Sequence, residues 1–181
     1  MSATRAVFLD RDGTLIEDSG YVRETRSMRL LPGAAEAVAR LNRARWLPIV
    51  VTNQSGIARG LLTRSEYLAT ERRLEELLAS GGGRIAAQYH CPHLPEITGA
   101  CECRKPGPLL YKQAAERFGL DLTASYWIGD RLRDLEPANH FGGDGILVLT
   151  GAGRTESTAA AAAGWQVVAD VGAAVGQILK A

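Results

Sequence analysis

Three short apolar runs in this chain each end abruptly in polar residues, and this pattern restricts the fold more than any other feature. Val7-Phe8-Leu9 runs into Asp10-Arg11-Asp12-Gly13-Thr14, Ile49-Val50-Val51 into Thr52-Asn53, and Tyr126-Trp127-Ile128-Gly129 into Asp130. Short apolar runs bounded by turn residues read as parallel strands buried on both faces. Open α/β sheets place their functional crevice beyond the carboxyl ends of such strands. Strands lying side by side would therefore gather Asp10, Asp12, Thr52 and Asp130 in one pocket. The chain reads as an enzyme.

The segments between these runs fit a parallel sheet with right-handed helical crossovers. Pro32-Gly33 opens a helical pattern through about Arg45, and a strand follows over Leu47–Thr52. Thr63-Arg64-Ser65-Glu66 has the spacing of a capping box and leads an amphipathic helix to about Ala79. A third strand is expected over Arg84–Tyr89, a helix over Pro108–Phe118, and a fourth strand over Ser125–Asp130. A helix from Leu132 precedes a fifth strand over Gly145–Thr150, and Thr158–Ala163 reads as a short helix. Val167-Val168 and a helix over Val171–Leu179 finish a single domain spanning residues 1–181.

The polar ends carry chemistry. A carboxylate such as Asp10 can attack phosphorus, dividing a difficult hydrolysis into two easier steps. A second acid, Asp12, can protonate the leaving alkoxide and later deprotonate water. Mg²⁺ favours one or two carboxylates plus phosphate oxygens. Asp10 and Asp130, with the backbone carbonyl of Asp12, would suit it, and Asp134 would act from one layer behind. Thr52, Asn53, Gln54 and Ser55 offer a hydroxyl and amides at the second strand end, and Lys105 a point charge. Taken singly, each has a plain structural reading as a strand-end turn, a cap or a surface charge. Their joint occurrence is what argues for chemistry.

Cys91, His93, Cys101 and Cys103 form a complete Cys₃His set for a closed structural Zn²⁺ site, with His90 as a competing ligand. The three cysteines of the 181-residue chain all fall in this loop, which argues against a disulfide framework and for a reducing compartment. A net charge of +1 gives no global argument for nucleic acid or membrane binding. No stretch is apolar enough to span a bilayer, and a strand beginning near residue 6 leaves no room for a signal peptide. The expectation is a cytoplasmic monomer.

In order along the chain, Asp10-x-Asp12-Gly13-Thr14, the Thr52 strand end, Lys105 and Gly129-Asp130-x-x-x-Asp134 resemble the haloacid dehalogenase superfamily of phosphohydrolases. The resemblance implies a Rossmann-like three-layer sandwich around a parallel sheet, here with a zinc loop and no separate cap domain. It implies that Asp10 is the nucleophile, Asp12 the acid/base, and that Thr52 and Lys105 stabilise the phosphoryl group. The zinc loop followed by Cys103-Arg104-Lys105-Pro106 is similar to a branch acting on two kinds of substrate, a heptose bisphosphate and histidinol phosphate. Asp18-Ser19-Gly20-Tyr21-Val22 and Thr52 through Gly60 resemble the heptose side. That implies Mg²⁺-dependent removal of a sugar phosphate, with Asp18, Ser19, Gly20, Tyr21, Asn53, Gln54, Ser55, Arg104 and Arg131 lining the substrate. Histidinol phosphate is the alternative substrate. A non-catalytic zinc-stabilised binding domain is the alternative class, which the intact acid set disfavours.

Overall fold

The computed structural model describes residues 4–22 and 24–180. The expected domain bounds, 1 and 181, lie outside them. Six strands form one sheet: β1 (Ala6–Leu9), β2 (Leu47–Asn53), β3 (Ala87–Cys91), β4 (Tyr126–Gly129), β5 (Asp144–Val148) and β6 (Gln166–Val168). Their order is β3-β2-β1-β4-β5-β6, and every pairing is parallel. The sequence winds outwards in both directions from β1, so the topological switch lies between β1 and β4. Ligand crevices of doubly wound sheets open at this point.

Alternation along the strands explains the layers. Val7 and Leu9 pack with Val50 and Ile128 on one face, while Ala6 and Phe8 pack with Ile49, Val51 and Trp127 on the other. Against the first face lie α1 (Ala34–Arg43), α2 (Arg64–Ser80) and α7 (Val171–Ile178). The second is covered by α4 (Leu109–Phe118), α5 (Leu132–Phe141) and α6 (Gly153–Ala162). Burial on both faces is why the strands are almost continuously apolar. The α2 start is the expected capping box: Thr63 Oγ1 accepts from the Glu66 N–H, and Glu66 Oε2 accepts from the Thr63 N–H at 2.7 Å.

Some boundaries differ from expectation for tertiary reasons. The third strand begins later and runs further, because Arg84 is tied to Asn42 of α1 in both directions. Ladder pairing then runs from Ile49 opposite Ala87 to Asn53 opposite Cys91. The α6 helix starts earlier than the alanine run suggests. A one-turn helix, α3 (Pro95–Thr98), appears in the cysteine loop, where Thr98 Oγ1 bonds both backbone groups of Leu94. Among the described residues there is no second sheet and no inserted lid: residues 10–33 hold one 3₁₀ turn, and residues 92–108 hold only α3. Among them, too, no helix is long and apolar enough to cross a membrane.

Candidate active site

The three strand ends meet as the apolar runs imply, except that Asp130 is buried and does not line the cavity; it lies within 4.8 Å of Asp10. Asp10, Asp12, Thr52, Asn53, Gln54, Lys105 and Asp134 line an open cavity of about 350 Å³ beyond the carboxyl ends of β1, β2 and β4. Asp18, Gly20, Tyr21 and Arg131 form its outer wall, together with Arg133.

Lys105 is the hub. Its Nζ lies 2.6 Å from Asp10 Oδ1 and 2.7 Å from Asp134 Oδ1, and donates to the Val51 carbonyl at 2.8 Å. Only 4 % of the residue is exposed. Burial alone would lower the lysine's pKa, but Asp10 and Asp134 outweigh it and hold the group above its ordinary value. Its backbone is clamped as well: the Lys105 N–H donates to Asn53 Oδ1, and Asn53 Nδ2 donates back to the Lys105 carbonyl. Asn53 thus spends its amide on holding the lysine loop against β2.

The acids are crowded. Asp10, Asp130 and Asp134 each present an oxygen within 4.8 Å of the others. Burial pushes the Asp10 carboxyl up to about 8; Lys105 opposes the shift, while Asp134, Asp130 and Asp12 add to it. Burial also raises Asp130, to about 6, against a hydrogen bond from the Ala152 N–H. Asp130 Oδ2 takes that bond at 2.8 Å, whereas its Oδ1 is buried with no hydrogen-bond partner among the described residues. Buried carboxylate oxygens are rarely left unpartnered, and hard oxygen donors are what Mg²⁺ prefers. Asp10 and Asp130 therefore fit a divalent cation. Asp134 has both oxygens engaged, one by Lys105 and one by the Arg131 N–H, and stands one layer behind.

Glycine is required beside Asp130. Gly13 has φ +82°, and a Cβ there would collide with Asp130 Oδ2; a Cβ on Gly151, which packs against Gly13, would collide with the same oxygen. The turn is pinned by Thr150, whose Oγ1 donates to the Gly13 carbonyl at 2.6 Å.

Asp12 faces other partners. Arg11 donates to it twice, through Nε to Oδ2 at 3.1 Å and through Nη2 to Oδ1 at 3.0 Å. Gln54 Nε2 reaches Oδ2 at 2.8 Å and Thr52 Oγ1 at 3.0 Å. Thr52 Oγ1 lies 3.5 Å from the same Oδ2.

On the outer wall, Asp18 Oδ1 accepts from the Gly20 N–H, and Asp18 Oδ2 sits 4.0 Å from Arg131 Nη2. The Tyr21 hydroxyl pairs with Ser55 Oγ at 3.3 Å, and its ring lies where a side chain on Gly56 would have to go. Ser19, Ser55 and Arg104 are not among the residues lining the cavity. Arg104 turns back to donate to the His93 carbonyl at 3.2 Å.

The four expected zinc ligands converge. Cys91, Cys101 and Cys103 sulfurs are 3.1 to 3.7 Å apart, and His93 Nδ1 lies 3.1 Å from Cys103 Sγ and 3.8 Å from Cys91 Sγ. Zn–S bonds near 2.3 Å give tetrahedral edges of about 3.8 Å, so the set fits Zn²⁺. His90 is not part of it; its ring lies 4.2 Å from that of Tyr67 with the planes tilted by 48°, and its Nδ1 is 3.3 Å from Glu71.

Sequence reading missed Arg11, Arg133, Thr150 and the Ala152 N–H. Arg11 carried one weak signal, its place between two motif acids. The others become visible only when the chain folds back from β5 and α5.

Acid-ended strands around a buried lysine at the switch point define a haloacid dehalogenase-like hydrolase. A model of that class, described as HAD-hydrolase-like, matches residues 102–174. The chain is 38% identical over 178 residues to the D-glycero-beta-D-manno-heptose-1,7-bisphosphate 7-phosphatase of Bordetella bronchiseptica, covering 97% of this chain and 98% of that protein. The enzyme of the same name from Pseudomonas aeruginosa is 40% identical over 148 residues, 81% of this chain and 82% of its own. The crystal structure of D,D-heptose 1,7-bisphosphate phosphatase from B. bronchiseptica, complexed with magnesium and phosphate, superposes with a TM-score of 0.89. That match has 37% identity over 98% of this chain and 99% of the other. The chain belongs to the family of D-glycero-beta-D-manno-heptose-1,7-bisphosphate 7-phosphatases.

Proposed function

We propose that this protein is a Mg²⁺-dependent phosphatase that removes the C7 phosphate of D-glycero-D-manno-heptose 1,7-bisphosphate, in the synthesis of nucleotide-activated heptose. The carrying observation is Lys105 Nζ shared between Asp10 and Asp134, beside the unpartnered Asp130 oxygen. This reading takes residues 1–181 as one catalytic unit and a monomer. The three thiols of the zinc loop suit a reducing cytoplasm.

In this reading Asp10 attacks the C7 phosphorus and carries the phosphoryl group as an aspartyl-phosphate. Asp12 gives a proton to the departing C7 oxygen and takes one from the water that hydrolyses the intermediate. Thr52 offers its hydroxyl, and Lys105 its positive charge, to the phosphoryl oxygens. Asp10, Asp130 and the Asp12 carbonyl would hold Mg²⁺, which would supply charge neutralisation at those oxygens. Asp18, Gly20, Tyr21, Asn53 and Gln54, which line the cavity, face the sugar, and Ser55 holds the Tyr21 hydroxyl. Arg131, with Arg133 on the same wall, offers charge to the second phosphate, and Arg104 braces the zinc loop behind them.

The relatives' names specify a beta sugar, so the beta anomer is the first substrate to test. Phosphate release should be measured from both anomers of the heptose bisphosphate and from histidinol phosphate. We expect the highest kcat/KM with a heptose bisphosphate, because a cationic amine is disfavoured beside Arg131 and Arg133. More efficient hydrolysis of histidinol phosphate would overturn the substrate assignment.

A further inference from the structure

Arg11 lies between the two acids of the first strand end, yet its side chain runs away from the cavity into the protein, with 1 % of the residue exposed. Each nitrogen of this buried guanidinium has an acceptor. Nε and Nη2 fork the Asp12 carboxylate at 3.1 and 3.0 Å. Nη1 donates to Thr70 Oγ1 at 2.8 Å, and the Thr70 hydroxyl in turn donates to the Tyr67 carbonyl at 2.7 Å. The guanidinium carbon lies 5.3 Å from the centroid of the Tyr67 ring. Tyr67 and Thr70 sit on the buried face of α2, so this helix fixes the plane of the guanidinium. A two-point fork in turn fixes the plane of the carboxylate, because both bonds form only when the two groups align.

The donors on Asp12 are distributed unequally. Oδ2 takes Arg11 Nε and Gln54 Nε2, with Thr52 Oγ1 at 3.5 Å. Among the described residues, Oδ1 takes Arg11 Nη2 alone. A carboxylate oxygen has two acceptor directions, so Oδ1 keeps one open and Oδ2 does not.

We propose that Arg11, anchored on Thr70 and Tyr67, is a positioning residue for proton transfer: it holds Asp12 so that Oδ1 carries the proton to and from the reacting oxygen. This rests on the reading of Asp12 as the acid/base. In the first half-reaction the Asp10–phosphorus bond forms as the bond from phosphorus to the substrate oxygen breaks. That oxygen takes the proton from Asp12 Oδ1, leaving a carboxylate paired with Arg11. In the second, water gives a proton back to Oδ1 while its oxygen attacks phosphorus, and the Asp10–phosphorus bond breaks to release phosphate.

Leaving-group dependence separates this role from a merely structural one. A sugar alkoxide needs a proton to depart, whereas the p-nitrophenolate of p-nitrophenyl phosphate does not. Because kcat/KM reports the first half-reaction, it should be compared on the heptose bisphosphate and on p-nitrophenyl phosphate. Proton transfer of this kind contributes about 10²–10⁴-fold. Asp12→Asn should lose of that order on the sugar phosphate and far less on the aryl phosphate. Arg11→Met should show the same selectivity with a smaller loss, about 10- to 100-fold on the sugar phosphate. Thr70→Val and Arg11→Lys should lose less still, in the same direction, since each leaves part of the clamp. If Arg11→Met does not fold, the two milder variants decide by the same comparison. Equal losses on both substrates, or none, in folded Arg11 and Thr70 variants would overturn the proposal while Asp12→Asn remains selective. An unselective Asp12→Asn would instead remove the acid role itself, and this inference with it.

Discussion

At the scale of single residues, Lys105 decides how the site tolerates its own charge. It is the cation that the structure places between Asp10 and Asp134, and it approaches the strand ends from the far side of the zinc loop. Lys105→Met should abolish turnover and destabilise the fold by about 3 kcal/mol at neutral pH, the scale for leaving a buried charge unpaired. Chemical denaturation should show this as a lower midpoint with an unchanged slope. Lys105→Arg should not rescue turnover, because a planar fork cannot place one nitrogen on two carboxylates and the Val51 carbonyl together. Wild-type kcat in either variant would remove Lys105 from the phosphoryl site. Its residue type was legible in the sequence as a motif lysine. Its partners were not, since its bond to Asp10 spans 95 positions of chain.

At the scale of elements, the zinc loop and β3 act together. The strand ends at Cys91, opposite Asn53, and the loop returns through Cys101 and Cys103 to deliver Lys105 two residues later. Protein purified without added metal should hold about one Zn²⁺ per chain by elemental analysis, with Mg²⁺ lost on dialysis. Mild EDTA treatment should stop turnover, and Mg²⁺ alone should restore it while zinc stays bound. Stripping the zinc should cause a loss that Mg²⁺ does not reverse, because Lys105 is then no longer held against Asn53. Full activity with Mg²⁺ after zinc is gone would show that the loop needs no metal. The ligand set was readable from spacing alone, because four ligands within one short loop must lie close. Where β3 ended was not, because pairing with β2 and the Asn42–Arg84 bonds set its register.

At the scale of the whole molecule, the fold holds carboxylates that ionise reluctantly until a cation arrives. Asp10 is raised from 3.8 to about 8 and Asp130 from 3.8 to about 6, chiefly by burial. Between its unfolded and folded values, each group binds more protons in the folded state than in the unfolded one. Stability therefore falls as pH rises through that window. In the Mg²⁺-free protein the Tm should decline from about pH 5 to pH 8, and Mg²⁺ should raise Tm more at pH 8 than at pH 5.5. Asp10→Asn should flatten the decline. A metal-free Tm that instead rises from pH 6 to pH 8 would contradict this account of the acid cluster.

Local pattern determined the α/β class, the strands that end in acids, the capping box of α2 and the cluster of Cys91, His93, Cys101 and Cys103. Each of these depends on neighbours within a few residues: period, turn chemistry and ligand spacing are written along the chain. Tertiary structure alone decided that Arg11 forks Asp12 from beneath, with α2 holding its far end across 59 positions. It also decided that Thr150 pins the Gly13 turn across 137 positions, and that Ala152 occupies one oxygen of Asp130 while the other stays unpartnered. In a parallel sheet wound outwards from β1, neighbouring strand ends come from distant parts of the chain. The chemistry of each end is local, but the partners that orient it are chosen by strand order.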